Sequence, residues 1–285
     1  MIEIFHQLAD AFSFEFVQRA MIVGVLTAFC ASLLGVTLVL KRFAFIGSGL
    51  SHMTVLATTI GAAIGFANNI YFVLPITILS SILLLCTGNN SKIKGDSALA
   101  MISVGSLAMG YLILRMFSTS TNMAADICNT LFGSTGIVTI SNHDLQLSVG
   151  LSAVVVVVFL LLYHKIFAIT FDEDFAAATG TRAKAYNVLL AIVVAITITL
   201  AMNIVGALLV SALIVFPALT AMRVFKSFRG VTICAVIVSM FCAALGILVS
   251  VIADDMPPGS TIVAMNIAMF IIFSLIGLIT RRKVV

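Results

Sequence analysis

The sequence predicts an all-α protein, a polytopic transmembrane bundle of about nine spans. Its 285 residues are 62% hydrophobic and only 9% charged, whereas a soluble globular domain carries roughly 25% charged residues. Apolar runs of about 20 residues, the length that crosses the hydrocarbon core of a bilayer, recur along the whole chain. Because these runs fill most of the chain, no room remains for a large soluble domain.

The distribution of positive charge predicts the topology. When nine spans are threaded back and forth, every Lys and Arg except Arg19 and Arg115 lies on one side. Cytoplasmic loops concentrate Lys and Arg, so we expect a multi-pass protein of the cell membrane with its N-terminus outside and its C-terminus in the cytoplasm. The net charge of +4 then anchors the spans and does not indicate nucleic-acid binding.

The predicted spans follow the apolar runs in order, and the pattern also permits eight or ten. They cover residues 18–40, 47–66, 70–87, 97–116, 145–163, 186–202, 204–222, 231–253 and 261–279. The preceding residues 1–17 have apolar side chains at helical spacing and are predicted to lie in the membrane interface. Residues 18–285 form one transmembrane domain.

Two predicted connections are longer than a turn. Residues 117–144 lie outside and could hold a short re-entrant or interfacial helix. Residues 164–185 lie inside and carry the densest charge in the chain, Asp172-Glu173-Asp174. The small residues that follow, up to Gly180, are typical of a short helix with acidic residues at its positive N-terminal end. Its alanine face would accept another protein; the alternative is a plain cytoplasmic loop.

Ionisable residues inside membrane spans are costly and are therefore candidates for function. His52 lies near the start of the second predicted span, and helical spacing places Ser48, His52 and Thr59 on one face. Neutral imidazole is a common ligand of zinc and other divalent transition metals. His52 is thus a candidate metal ligand, and the alternative is a structural histidine that hydrogen-bonds a neighbouring helix.

A second group of candidates lies on the predicted outer side. It comprises Asp126, His143, Asp144, Asp254 and Asp255. Carboxylates at an entrance could raise the local concentration of a divalent cation. Solvated loop charges are the alternative.

Proline lies in the middle of two predicted spans, at Pro75 and Pro217. Proline removes a backbone donor and clashes with the preceding turn, so each is expected to kink its helix. Pro217 is therefore a candidate gating position.

Three motifs of enzymes are absent from the sequence: the phosphate loop G-x-x-x-x-G-K-[ST], H-E-x-x-H and G-x-S-x-G. The chain is therefore not expected to hydrolyse ATP by a phosphate-loop mechanism, nor to be a protease or hydrolase of the corresponding classes. We expect a transport protein and not an enzyme.

Several stretches, in order, resemble the zinc/manganese-type ABC transporter permeases. They are Phe16-Val17-Gln18-Arg19-Ala20, Gly35-Val36, Leu38 to Gly47, Leu50-Ser51-His52, Leu131-Phe132-Gly133, Phe171-Asp172 with Ala176 to Gly180, Gly206 to Leu213, Pro217-Ala218, Asp255, Pro257-Pro258-Gly259 and Ile262-Val263. Each piece alone is a weak signal, but the ordered set covers the chain from about residue 16 to residue 280.

The resemblance implies a type II importer-like permease that moves a divalent transition metal, zinc, manganese or iron, into the cytoplasm. It implies a homodimer, a separate cytoplasmic ATP-binding subunit and an extracytoplasmic metal-binding protein. ATP would be bound by the partner, with no cofactor on this chain. His52 would contact metal along the path. The coupling element that docks on the ATPase would contain Phe171, Asp172, Glu173, Ala176 and Gly180.

One position departs from the family pattern. Members usually carry Asp four residues before the membrane His, in Gly-Asp-Ala-Leu-Ser-His, whereas this chain has Ser48 and Gly49. A hydroxyl coordinates hard divalent ions much more weakly than a carboxylate does. The metal contact could be transient, another acidic residue could substitute, or the substrate could differ. A permease for a chelated metal or vitamin, and a secondary transporter driven by an ion gradient, are therefore alternatives, although the latter predicts mid-span carboxylates that are absent.

Overall fold

The computed structural model describes residues 14–65, 70–87, 95–117, 140–252 and 256–282. In these ranges all regular secondary structure is helical and there is no strand, which confirms the all-α prediction. The helices are α1 (Glu15–Leu40), α2 (Ile46–Ala63), α3 (Ile70–Thr87), α4 (Gly95–Phe117), α5 (Asn142–Phe171), α6 (Glu173–Ala178), α7 (Ala183–Val205), α8 (Ala207–Val224), α9 (Phe228–Ile252) and α10 (Pro258–Arg282).

Seven of the described helices are long and apolar enough to cross a membrane: α1, α4, α5, α7, α8, α9 and α10. In α3 the apolar stretch whose side chains the structure describes is Tyr71–Leu85. Helix α2 is outside the set because serine, threonine, glycine and His52 dilute its apolar residues. The multi-pass architecture is therefore present, while the count of nine spans stays a prediction.

Helix α1 lies at the centre of the bundle, where it packs against α5, α8 and α9. Within its most apolar stretch 72% of the residues are buried. Its contact with α8 depends on Gly35, because a Cβ atom there would lie 2.2 Å from the carbonyl oxygen of Ile214. Close backbone approach of this kind is how helices pack in lipid, which supplies no hydrophobic force between them.

The outer helices present apolar side chains on their free faces. Only 22% of the most apolar stretch is buried in α4 and in α5, and only 17% in α10. Exposed apolar patches of this extent do not occur on monomeric soluble proteins. Lipid would cover these faces in a membrane.

Helix α5 continues eight residues beyond the predicted end of its span at residue 163, so the first part of the predicted inner segment 164–185 is helical. Tyr163, Phe167 and Phe171 recur every four residues, and each ring contacts the ring of Phe228 on α9. Aromatic packing therefore holds the extra two turns of α5 in helical form. The predicted short helix follows at once as α6.

The expected interfacial segment 1–17 lies mostly outside the described residues, and its last three residues belong to α1. Also outside them are Asp126, Asp254, Asp255 and the stretch 131–133.

Candidate functional site

The candidate site is built at the start of α2, directly after the turn that follows α1. No side chain caps this helix, and the Ser48 hydroxyl donates to the carbonyl oxygen of Phe45 at 3.0 Å. Such a bond to the preceding turn is usual for serine in membrane helices. It uses the proton of the hydroxyl and leaves its oxygen lone pairs available.

Ser48 lines an apolar cavity of about 510 Å³ between α2, α8 and α10. The lining residues are Ala44, Phe45, Ser48, Leu208, Ser211, Ala212, Val215, Phe216, Ser260, Val263, Ala264 and Ile267. The polar side chains among them are three serines, and no lining residue that the structure describes is charged. Neutral hydroxyls among apolar walls can hold a polar group weakly, but they do not form a site for a bare hard cation.

His52 does not line this cavity and instead lies against α4. Its Nδ1 atom is 2.7 Å from Oγ of Ser103, and the imidazole is half-buried. One turn further along α4, the hydroxyl of Ser106 donates to Sδ of Met53 at 2.8 Å. A hydrogen bond to a neighbouring helix is what we expected of a purely structural histidine. It uses Nδ1 only, so Nε2 of His52 is not occupied by this bond.

The predicted polar face of Ser48, His52 and Thr59 is therefore divided, which corrects the sequence interpretation. Thr59 is buried near Gly110 of α4, and its hydroxyl donates to the carbonyl oxygen of Leu56 at 2.8 Å. Residues four apart differ in direction by about 40° around a helix axis. Because α2 packs against α4 on one side and α8 on another, this rotation turns Ser48 toward the cavity beside α8 and His52 toward α4. Thr59 is separated from Ser48 by its position along the helix, about 16 Å further on.

Among the residues that the structure describes, no three His, Cys, Asp or Glu side chains come together as a metal cluster. Of the acidic residues in the predicted outer group, the structure describes Asp144, which accepts a hydrogen bond from the backbone N–H of Ser141 at 3.0 Å. Ser141 accepts in turn from the N–H of His143 at 3.3 Å. This capping box begins α5 and is a structural role for Asp144 that the sequence analysis did not predict.

Helix α6 is fixed at both ends and packed on one side. Asp172 accepts a hydrogen bond from the N–H of Phe175 at 2.8 Å and so caps the helix. Gly180 has φ of +84°, a conformation that terminates a helix and favours glycine. Ala176 is 1% exposed, in a small cluster with Ile169 and Ala183. One of the three alanines thus packs inward, and Ala177 and Ala178 remain exposed, as does Glu173 in part.

Two phenylalanines, Phe171 at the end of α5 and Phe175 in α6, form an apolar surface next to the acidic residues, and Phe171 also contacts the aromatic residues of α5 and α9. Phe175 is 66% exposed and Phe171 is 59% exposed. The ring of Phe171 lies 4.9 Å from that of Phe167 and 6.1 Å from that of Phe228. The sequence analysis did not identify Phe228, although the four-residue spacing of the aromatic residues in α5 was a signal of a packed face.

Two further features involve residues that do not line the cavity. Pro217 is buried within α8, which runs from Ala207 to Val224 as one helix, so a kink there stays a prediction. Nζ of Lys41, in the turn between α1 and α2, donates to Oδ1 of Asn187 on α7. The sequence assigned Lys41 only to membrane orientation, and nothing in the spacing predicted its partner.

The sequence and the fold of this chain are similar to those of known membrane transport proteins. The sequence model of the ABC 3 transport family matches residues 13–277. The manganese import system permease protein ScaB of Streptococcus parasanguinis is 27% identical over 91% of this chain and 90% of its own length. The high-affinity zinc uptake system membrane protein ZnuB of Haemophilus influenzae is 26% identical over 91% and 97%. The structure of PsaBC from Streptococcus pneumoniae superimposes with a TM-score of 0.79, at 23% identity over 96% and 95%.

Proposed function

Because the chain belongs to the ABC 3 transport family, we propose that it is the membrane permease subunit of an ATP-binding-cassette importer of a divalent transition metal. The observation that carries the proposal is the match to the family over almost the whole described bundle. Relatives named for manganese import and for zinc uptake align over nine-tenths of the chain or more. The cargo enters the cytoplasm, and a separate subunit supplies the energy of ATP.

The proposed assembly contains two copies of this chain, a cytoplasmic ATP-binding subunit and an extracytoplasmic metal-binding protein. The C-terminus lies in the cytoplasm and the N-terminus outside. Support for this orientation is the concentration of Lys and Arg on one side of the predicted topology.

His52 is the proposed metal contact along the path. Its imidazole suits zinc and other borderline metals, whereas manganese prefers carboxylate and carbonyl oxygens. At position 48 the family's usual carboxylate is replaced by a hydroxyl that already donates to Phe45. We therefore place zinc before manganese and iron as the cargo.

The segment 171–180 is the proposed contact with the ATP-binding subunit. Its exposed Phe175, its partly exposed Glu173 and the acidic cap Asp172 offer a mixed apolar and acidic surface. The aromatic contacts from Phe171 to Phe228 would carry a displacement of α6 into α9, and α9 packs on the central α1. Pro217 would allow α8 to bend as the path opens and closes.

One observation favours a second candidate cargo. The cavity of about 510 Å³ lined by Ser48 falls in the range of small-molecule pockets, roughly 300–1,000 Å³, and its walls are mostly apolar. A chelated metal or a vitamin would suit such walls better than a bare ion does.

Uptake of radioactive zinc and manganese tests the proposal in cells with the chain, without it, and with His52→Ala, each metal competed by the other. We expect zinc uptake to fall both without the chain and in His52→Ala. Zinc and manganese uptake that is independent of the chain would reject a bare-ion cargo and favour the chelate.

A further inference from the structure

We propose that Ser103 on α4 is a positioning residue for His52, holding the imidazole so that Nε2 is the nitrogen presented to the metal. The inference rests on the proposed function, since it names a residue that acts on the proposed ligand. Its basis is the 2.7 Å separation of Ser103 Oγ and His52 Nδ1, which is the length of a well-formed hydrogen bond.

The hydroxyl of Ser103 can donate to Nδ1 or accept from it, so the bond forms with either tautomer, and metal binding at Nε2 selects the one in which Nδ1–H is the donor. In neutral imidazole one nitrogen carries the proton and the other carries the lone pair. When Nδ1–H donates to Ser103, Nε2 has the lone pair that a transition metal requires. Metal-binding histidines commonly donate their second nitrogen to an oxygen in this way, which fixes the orientation of the ring.

The packing of α4 on α2 keeps Ser103 in place. Ser103 is 6% exposed. On either side of it, the backbone of α2 comes close to α4: a Cβ on Gly49 would lie 3.6 Å from the side chain of Leu99, and one on Gly110 would lie 3.4 Å from Cα of Leu56. These are ordinary van der Waals contacts, and they show that α2 and α4 are packed together on both sides of the hydrogen bond.

Ser106 provides a matched control. Like Ser103, Ser106 is a serine of α4 that is 6% exposed. Its hydroxyl also forms a hydrogen bond to a side chain of α2, but the partner is Sδ of Met53 instead of His52. Removal of either hydroxyl costs one buried hydrogen bond between α2 and α4. Only the loss at Ser103 affects the ring of His52.

The experiment uses the permease assembled with its ATP-binding subunit in lipid nanodiscs. Equilibrium binding of radioactive zinc is measured for Ser103→Ala, Ser103→Thr and Ser106→Ala. KM and kcat of ATP-driven uptake are then measured in proteoliposomes to which the extracytoplasmic metal-binding protein has been added. Loss of a residue that orients a metal-binding histidine typically weakens metal affinity by roughly 10- to 100-fold. We expect a loss of this size in Ser103→Ala, seen in binding and in KM with kcat kept, recovery in Ser103→Thr, and less than a twofold change in Ser106→Ala.

A double substitution separates positioning from general damage. In the His52→Ala background, Ser103→Ala should cause no further loss of zinc binding, because the ring it positions is gone. A further loss of full size would overturn the inference, and so would equal zinc affinity in Ser103→Ala and Ser106→Ala. If Ser103→Ala does not assemble, Ser103→Cys keeps the volume with a much weaker hydrogen-bonding group and is compared in the same way.

The inference and the proposed function fail differently. If the wild-type complex neither binds nor transports zinc, manganese or iron, the proposed function is wrong and the inference with it. If the wild-type complex binds zinc through His52 and Ser103→Ala has no effect, only the inference is wrong.

Discussion

At position 48 we expect the residue type to affect which metal the proposed site can take. Its hydroxyl faces the cavity and donates to its own helix, and no carboxylate lines that cavity in the part of the chain that the structure describes. Hard cations such as manganese depend on charged oxygen ligands, whereas zinc is bound well by imidazole.

Ser48→Asp is therefore expected to restore a hard ligand and to shift selectivity toward manganese. We expect the concentration of manganese that halves zinc uptake to fall by about tenfold or more, the effect of roughly 1.4 kcal/mol of added affinity. Competition of radioactive zinc uptake by manganese measures it. Ser48→Asn, which has a similar shape without the charge, is the control. Equal competition in both variants would contradict the argument.

At this scale the sequence identified His52 and Ser48 but not their surroundings. The spacing of four residues placed them on one face, yet the packing of α4 and α8 on different sides of α2 separated them. The partners Ser103 and Asn187 lie 51 and 146 positions away from His52 and Lys41 along the chain. A single sequence has no periodicity that encodes such pairs.

The sequence predicted the positions of the helices more completely than it predicted the contacts between side chains. Each predicted span corresponds to a described helix, because about 20 apolar residues between charged ends is a strong signal. The predicted span ended at residue 163, whereas α5 continues to Phe171, where its aromatic residues pack on Phe228.

The exposed face of α6 yields a prediction about assembly. Phe175→Ala should change the stability of the permease little, since the side chain is 66% exposed. It should weaken binding of the ATP-binding subunit by about 30-fold, which corresponds to the loss of roughly 2 kcal/mol that is typical of an interface hot spot. Titration of the labelled subunit onto the permease in nanodiscs measures this. Tyr71→Ala, at an 84% exposed aromatic residue on the predicted outer side, is the control. Unchanged binding in Phe175→Ala would reject α6 as the contact.

The contact of α1 with α8 yields a prediction about stability. Gly35→Ala places a Cβ against the carbonyl oxygen of Ile214 and should destabilise the permease by about 1–3 kcal/mol, the usual cost of overpacking. Gly105→Ala on α4, where nothing lies within 4 Å, should be neutral or slightly stabilising. Thermal unfolding in detergent compares the two. A stability of Gly35→Ala equal to that of Gly105→Ala would mean that the helices are not in close contact there.

The whole molecule is a bundle whose outer helices are suited to lipid and whose central helix is buried. Composition predicted this architecture, because a chain with 9% charged residues cannot cover an aqueous surface. The number of spans was harder to predict, since α2 combines a central position with polar residues that lower its hydropathy.

The predicted orientation in the membrane rests on the charge of the connections and can be measured directly. A green fluorescent protein fused after Val285 should fluoresce, and alkaline phosphatase fused at the same place should be inactive, because both results require a cytoplasmic C-terminus. The reverse pair of results would mean that the predicted topology is inverted.

The central claim is that this chain imports a divalent transition metal with the energy of ATP supplied by a partner subunit. The most direct measurement is accumulation of radioactive zinc in proteoliposomes that contain the chain, its ATP-binding subunit and the metal-delivery protein, with ATP supplied on the side of that subunit. We predict accumulation that requires ATP and is lost in His52→Ala. Zinc accumulation that proceeds without ATP and follows an imposed proton or sodium gradient would contradict the claim and indicate a secondary transporter.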